Sequence, residues 1–303
     1  MPAVSSPASS GPFSSLVVSL RPQQWVKNLF VFAGLVFARQ LFTPRFWTAL
    51  AAFALFCLLS GGVYLLNDVA DYERDRLHSR KRLRPVASGR LRRGTALGVG
   101  VGLLLGGLAL SFRLSPRFGI VAFSYAVLLN LYSAGLKHLV ILDVLTVATG
   151  FVLRAVAGAV VIDVEISGWL LICTVLIALF LALGKRRHEL LALDGSAPDH
   201  RPILAEYSPR LLDQMIAVVT ASTVTAYALY TMSPETVGKF QTRLLPLTLP
   251  FVLYGIFRYL YLLYHRRLGG NPSEIFLTDR ALLVNSFAWL LAVLLIIYGP
   301  SLE

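Results

Sequence analysis

Residues 46–75 read FWTALAAFALFCLLSGGVYLLNDVADYERD, and this stretch decides the fold class. Its first 22 residues, 46–67, carry no charge. About 20 mainly apolar residues in a helix are enough to cross a bilayer. Directly afterwards Asp68, Asp71 and Asp75 fall at i, i+3 and i+7, with Asn67 at their head. On one helix these carboxylates share a face. Charge beside hydrocarbon costs about 2.5–3.5 kcal/mol on insertion scales, so acids in that place point to function. Like charges on one face also need a cation between them. Hard oxygen donors suit Mg2+, which takes one or two carboxylates and completes its shell with water and substrate phosphates. The plain alternative is a solvated helix end whose acids pair with Arg74 and Arg76.

The rest of the chain repeats the apolar theme. Residues 94–112, 118–136, 166–184, 214–234 and 281–302 are also free of charge. Three further spans are interrupted: 24–42 by Lys27 and Arg39, 139–162 by Asp143 and Arg154, and 244–263 by Arg258. The reading is an all-α integral membrane protein, a nine-transmembrane-helix bundle with a polar cavity. A barrel would need strict alternation, which is absent. Of the 303 residues, 56% are hydrophobic and 15% charged, with mean hydropathy +0.68. A water-soluble domain carries roughly 25% charged residues, so a soluble enzyme and a nucleic-acid module are both excluded.

Charge sets the orientation. The chain has 28 Lys and Arg against 16 Asp and Glu, a formal +12. Loops after spans two, four, six and eight hold 18 of the cations. The positive-inside rule then puts the N-terminus inside, the C-terminus outside and the acidic motif at the cytoplasmic face of the inner membrane. Residues 1–15, rich in Ser, Pro and Ala, read as a flexible cytoplasmic tail, and 16–303 as one transmembrane domain. No charged n-region precedes an apolar run, so no signal peptide is expected. Cys57 and Cys173 sit in separate apolar runs and form no disulfide framework.

Just beyond the acids comes RKRLRPVASGR, residues 80–90. A basic loop often serves only as a topology anchor. Next to carboxylates it also forms an anion clamp, with Arg giving bidentate phosphate contacts and Lys a point charge. Asp143 and Arg154 lie eleven apart, roughly 16 Å along a helix, so they are not expected to pair directly. Each should face a polar cavity. Arg258 and Asp279 suggest no role by chemistry alone. No HExxH, CxxC or GK[ST] loop is present, which argues against zinc-hydrolase and nucleotide-triphosphatase readings.

Taken together, NDxxDxxxD (Asn67, Asp68, Asp71, Asp75) after span two and YSxxLK (Tyr132, Ser133, Leu136, Lys137) after span four resemble the UbiA-type intramembrane prenyltransferase superfamily. The similarity runs from Arg21 to about Gly299. Members that ionise an allylic diphosphate carry a second DxxxD motif. Here Asp143 is present and Val147 stands four residues later. RPxQWVKN (Arg21 to Asn28), the run from Asn67 to Gly89, GLKH (Gly135 to His138), the residues around Arg154 and GKR (Gly184 to Arg186) are similar to the phosphoribosyl-transferring branch.

That resemblance implies transfer of 5-phosphoribosyl from phosphoribosyl pyrophosphate to a decaprenyl-like polyprenyl phosphate. Pyrophosphate would be released with the help of Mg2+, and the product would feed arabinan assembly in a mycobacteria-like cell wall. It implies Asp68, Asp71 and Asp75 as catalytic residues, with Asp68, Asp71 and Asn67 at the metal. Lys81, Arg82 and Arg84 would hold the diphosphate. Lys27, Asn28, Lys137, Arg154, Lys185 and Arg186 would ring the remaining phosphates. The membrane is the expected surroundings, no nucleic acid is expected, and a homo-oligomer stays open. Two rivals are an aromatic prenyltransferase of quinone synthesis and a small transporter. The acid missing at Val147 disfavours the first. The gathering of charge at one membrane face disfavours the second.

Overall fold

The computed structural model describes residues 11–78, 81–192, 202–266 and 268–299. Among them the chain is helical throughout, with no strand. Residues 1–10 of the expected tail lie outside the described ones. Helix α1, Pro12–Ser19, already occupies its end.

Eight helices are long and apolar enough to cross a bilayer. They are α3 (Arg45–Ala70), α5 (Arg93–Leu114), α6 (Pro116–Ala134), α7 (Leu142–Val161), α8 (Gly168–Ala192), α9 (Pro209–Met232), the segment Leu245–Tyr264, and α13 (Arg280–Tyr298). Within Leu245–Tyr264 a short 3-10 turn leads into α11, Leu249–Tyr264. Between these run α2 (Ala33–Phe37), α4 (Tyr72–Leu77), α10 (Pro234–Phe240) and α12 (Pro272–Thr278). Phe123, Val218 and Phe287 are among many large apolar side chains left exposed. A bundle turned outward to lipid has no need to hide them.

The ninth expected span, 24–42, differs from the rest. It begins as a 3-10 helix, Pro22–Phe32, and continues into the short α2. A 3-10 helix has three residues per turn, so every third side chain stacks on one side. Asn28, Val31 and Gly34 follow that spacing, and all three are buried. They face α7. A Cβ built on Gly158 would overlap the carbonyl oxygen of Val31, and one built on Gly34 would lie 2.9 Å from the Cα of Ala159. The two backbones therefore touch through glycine. A second close crossing joins α3 to α5, where a Cβ on Gly62 would come 3.0 Å from the carbonyl of Gly100. Small residues let apolar helices approach closely when no hydrophobic difference drives them together.

Arg258 on α11 makes two hydrogen bonds to Asp279, at 3.2 and 2.7 Å. Asp279 also caps α13 by accepting from the Leu282 amide at 2.9 Å. The Arg258 guanidinium holds the Asp279 carboxyl below its ordinary range.

Two outcomes follow. Gly158→Ala should destabilise the protein by about 1–3 kcal/mol, the usual cost of overpacking, as a lower melting temperature in detergent. Gly94→Ala, whose Cβ would meet open space, should not. A carboxyl with a lowered folded pKa stabilises above the unfolded value and loses that contribution as pH falls through the folded one. Asp279→Asn should therefore lower the melting temperature at neutral pH. The mutant and wild-type temperatures should converge in acid below the ordinary carboxylate range.

Candidate active site

The acidic motif does not form one unbroken face. Helix α3 ends at Ala70, Asp71 occupies the junction and α4 starts at Tyr72. The bend separates the three acids. Asp68 and Asp75 turn to the same side, and both are buried at 2% exposure. Arg84 Nη1 donates to Asp68 Oδ1 at 3.2 Å and to Asp75 Oδ2 at 2.6 Å. Arg21 Nη2 donates to the same Asp68 oxygen at 2.5 Å, and its guanidinium lies over the Tyr64 ring. Lys81 Nζ is 4.0 Å from Asp75. Asp71 faces elsewhere, 3.9 Å from Lys137 Nζ. Asn67, half-buried, precedes Asp68 on the last turn of α3. Arg82 is exposed.

The basic stretch folds back because Pro85 and Gly89 close a compact loop. The Leu91 amide reaches the Pro85 carbonyl at 2.9 Å, and Gly89 takes φ +78°, a conformation that favours glycine. This carries Arg84 over the end of α3. Arg21, Asp68 and Arg84 then line a cavity of about 300 Å³, together with Ser19, Leu83 and Pro85.

A second polar group lies deeper. Arg154 Nε donates to Asn28 Oδ1 at 2.8 Å, Nη1 to the Gly150 carbonyl at 2.8 Å and Nη2 to Tyr125 Oη at 2.6 Å. Asn28 Nδ2 in turn reaches Cys57 Sγ and Ser60 Oγ. Asn28, Arg154 and Tyr125 are all buried. Lys27, one residue before Asn28, makes no hydrogen bond or ion pair among the described residues. The charges acting on it are those of Lys185, Arg154 and Arg21, all cations. So many cations around one buried lysine favour an anion nearby.

Asp143 forms the third group. It is fully buried, accepts from Arg186 Nε at 2.6 Å on Oδ2 and from Tyr207 Oη at 2.8 Å on Oδ1. Tyr207 also accepts from the Ile141 amide at 2.8 Å. Burial pushes the Tyr207 hydroxyl up to about 12, so it stays a neutral donor. Arg186 engages Glu189 and, at 3.1 Å, Tyr132 Oη. Every guanidinium nitrogen of Arg186 thus has a partner within the protein. Lys185 pairs with Glu189 at 3.7 Å. Asp143 and Arg154 do not pair with one another, as the spacing requires.

Arg21, Tyr125, Tyr207 and Glu189 join these groups although the sequence does not mark them as candidates. Arg21 opens the RPxQWVKN stretch, where its spacing from Asp68 gives no local sign of their pairing. Tyr207 carries no sequence signal, since its role depends on a loop returning to the start of α7.

The donor set can be tested against a divalent ion. A cation already bridges Asp68 and Asp75, in the form of Arg84 Nη1, and the donors are hard oxygens. Among the described residues no three acidic, His or Cys side chains converge closely enough to hold an ion unaided. The shared hard oxygens of Asp68 and Asp75 fit Mg2+, which takes one or two carboxylates and completes its shell with water and phosphate oxygens.

The fold and these groups define a helical membrane protein with a charged pocket at one end of α3. The UbiA prenyltransferase family model matches residues 28–278, and the chain belongs to this family. It is 33% identical to the decaprenyl-phosphate phosphoribosyltransferase of Corynebacterium glutamicum, over 93% of this chain and 86% of that one. It is 30% identical to the protein of that name from Mycobacterium tuberculosis, over 92% and 93%. Among solved structures, the UbiA homolog from Archaeoglobus fulgidus bound to GPP and Mg2+ superposes with a TM-score of 0.72 at 18% identity. That match covers 93% of this chain and 99% of the other.

Asn28→Leu should leave the Arg154 Nε–H without its acceptor in a buried site. A lost hydrogen bond to a charged group costs about 2 kcal/mol, read as a fall in melting temperature. Cys57→Ala removes only a weak sulfur acceptor and should change it little.

Proposed function

We propose that this protein transfers the 5-phosphoribosyl group of phosphoribosyl pyrophosphate to a polyprenyl phosphate and releases pyrophosphate. The observation that carries this reading is the pocket in which buried Asp68 and Asp75 share Arg84 beside a cavity, in a chain whose relatives, matched over most of their length, bear the name of that activity. In the reaction an oxygen of the lipid phosphate bonds to ribose C1. The bond from C1 to the pyrophosphate oxygen breaks, and its electron pair leaves with pyrophosphate. The lipid phosphate is already anionic at neutral pH, so no strong base is needed.

Catalysis then rests on positioning and on charge. A divalent cation, when bound, neutralises the departing pyrophosphate. Asp68 and Asp75, with Asn67, are the residues that would hold it, and Asp71, 3.9 Å from Lys137, would join them by giving up that partner. Arg21, Lys81 and Arg84 surround the diphosphate oxygens. Arg82, being exposed, meets the donor only at the rim. Lys27, Lys137 and Lys185 supply positive potential for the ribose 5-phosphate and the lipid phosphate. Asn28 and Arg154 shape the floor. Arg186 is held by Asp143, Glu189 and Tyr132, which supports a role in building the wall rather than in gripping substrate.

The aromatic prenyltransferase reading loses support from the same residues. Asp143 is taken by Arg186 and Tyr207, and Val147 packs among apolar side chains. No second acidic pair is thereby offered to a diphosphate.

The topology belongs to this proposal too. The rod from Pro22 to Phe37 is roughly 30 Å long by its 3-10 and α rises, which matches the hydrocarbon thickness. It would be the ninth crossing, leaving the N-terminus inside, the C-terminus outside and the pocket open to the cytoplasm, where phosphoribosyl pyrophosphate is found.

In membranes given labelled donor and polyprenyl phosphate, Asp68→Ala and Asp71→Ala should each reduce product at least about 100-fold, a loss typical of removing a group that stabilises transition-state charge. Full activity in either variant would remove that residue from the metal site. Supplying geranyl diphosphate with an aromatic acid instead should yield no product.

A further inference from the structure

Arg84 and Arg186 are both ion-paired arginines, yet they are held differently. Arg186 is 3% exposed, and Nε, Nη1 and Nη2 all have partners. Arg84 is 28% exposed and lines the cavity. It contacts both carboxylates through the single atom Nη1, and among the described residues Nε and Nη2 make no hydrogen bond. Its backbone is fixed: the Arg84 amide reaches the Lys81 carbonyl at 2.9 Å, and the Ser88 amide reaches the Arg84 carbonyl at 2.9 Å. The side chain can therefore change partners while the loop stays in place.

The electrostatics explain why it sits there. Two buried carboxylates at the end of an apolar helix cannot be left without counter-charge, since an uncompensated buried charge is strongly destabilising. Arg21 serves Asp68, but Asp75 depends on Arg84 and on the more distant Lys81. A divalent cation binding these same oxygens would compete directly with a tethered guanidinium. A diphosphate entering the cavity would offer that guanidinium an alternative acceptor.

We propose that Arg84 is an exchangeable counter-ion. In the empty pocket it bridges Asp68 and Asp75. On loading it yields that place to a divalent cation and turns to the diphosphate oxygens of the donor. The inference rests on the donor reading given above and adds a property to it. Metal and donor should each strengthen the other's binding, because each removes part of what the other must displace. Such coupling is reciprocal by thermodynamic necessity.

The test uses the purified full-length protein in lipid nanodiscs and follows Mn2+ binding by electron paramagnetic resonance, with and without phosphoribosyl pyrophosphate. Wild type should bind Mn2+ weakly alone and about tenfold more tightly with donor, within the usual span of coupled sites. Arg84→Gln should bind Mn2+ alone about tenfold more tightly than wild type, with the gain from donor largely lost. Arg84→Lys, which keeps a charge but not the planar fork, should fall between them. Unchanged or weaker Mn2+ binding by Arg84→Gln in the absence of donor would overturn the exchange. So would equal Mn2+ affinity of the wild type with and without donor, a result that needs no variant to fold. The donor reading itself would survive either result, provided Asp68→Ala abolishes Mn2+ binding in the presence of donor. Absence of any Mn2+ binding by wild type plus donor would remove both.

Discussion

Two carboxylates buried where a membrane-spanning helix ends must be neutralised, and the architecture around them answers that demand. Asp68 and Asp75 cannot lean on water, so arginines come to them from both sides along the chain. Arg21 arrives from the turn before the first rod and Arg84 from a loop folded back by Pro85 and Gly89. The cavity exists because these long side chains meet over the end of α3.

The same principle governs the interior. Among the described residues Arg154 has no carboxylate partner there; it is solvated by an amide, a carbonyl and a phenol, with the Tyr125 and Phe151 rings close by. Asn28 is delivered to it by the 3-10 rod, and the rod reaches α7 only because Gly158 and Gly34 clear the way. Close backbone packing and the placement of polar groups are thus one arrangement. Tyr207 plays the corresponding part beside Asp143. It ties the loop before α9 to the start of α7, where Ile141 adopts φ +67°, an uncommon conformation for a β-branched residue. Strain at that point is held by the hydrogen bonds around it.

Much of this was legible beforehand. Charge-free runs marked the spans, because hydrocarbon excludes charge, and seven of the eight long helices lie within about five residues of the expected limits at each end. The exception is α8, which continues past 184 as far as Ala192, since Lys185, Arg186 and Glu189 stay helical beyond the apolar part. The first span was harder. Its residues are apolar enough, but its winding is decided by the three-residue spacing with which it meets α7. Asp68, Asp75, Arg84 and Lys137 were legible as a group, because acid and base crowd together outside a span. Their pairing was not. A helical wheel puts Asp71 with its neighbours, whereas the break at Ala70 sends it to Lys137.

Sequence by itself determined the class of protein, the position of its spans and the family to which it belongs. Composition and local spacing are properties of the chain in any conformation, and the membrane imposes one answer on them. Tertiary structure alone decided which cation faces which acid, and that Arg186 is built into the wall while Arg84 keeps two nitrogens open to the cavity. Those outcomes depend on contacts between separate segments, 47 residues apart for Arg21 and Asp68 and 43 for Arg186 and Asp143. No local pattern encodes the distance at which two side chains will meet.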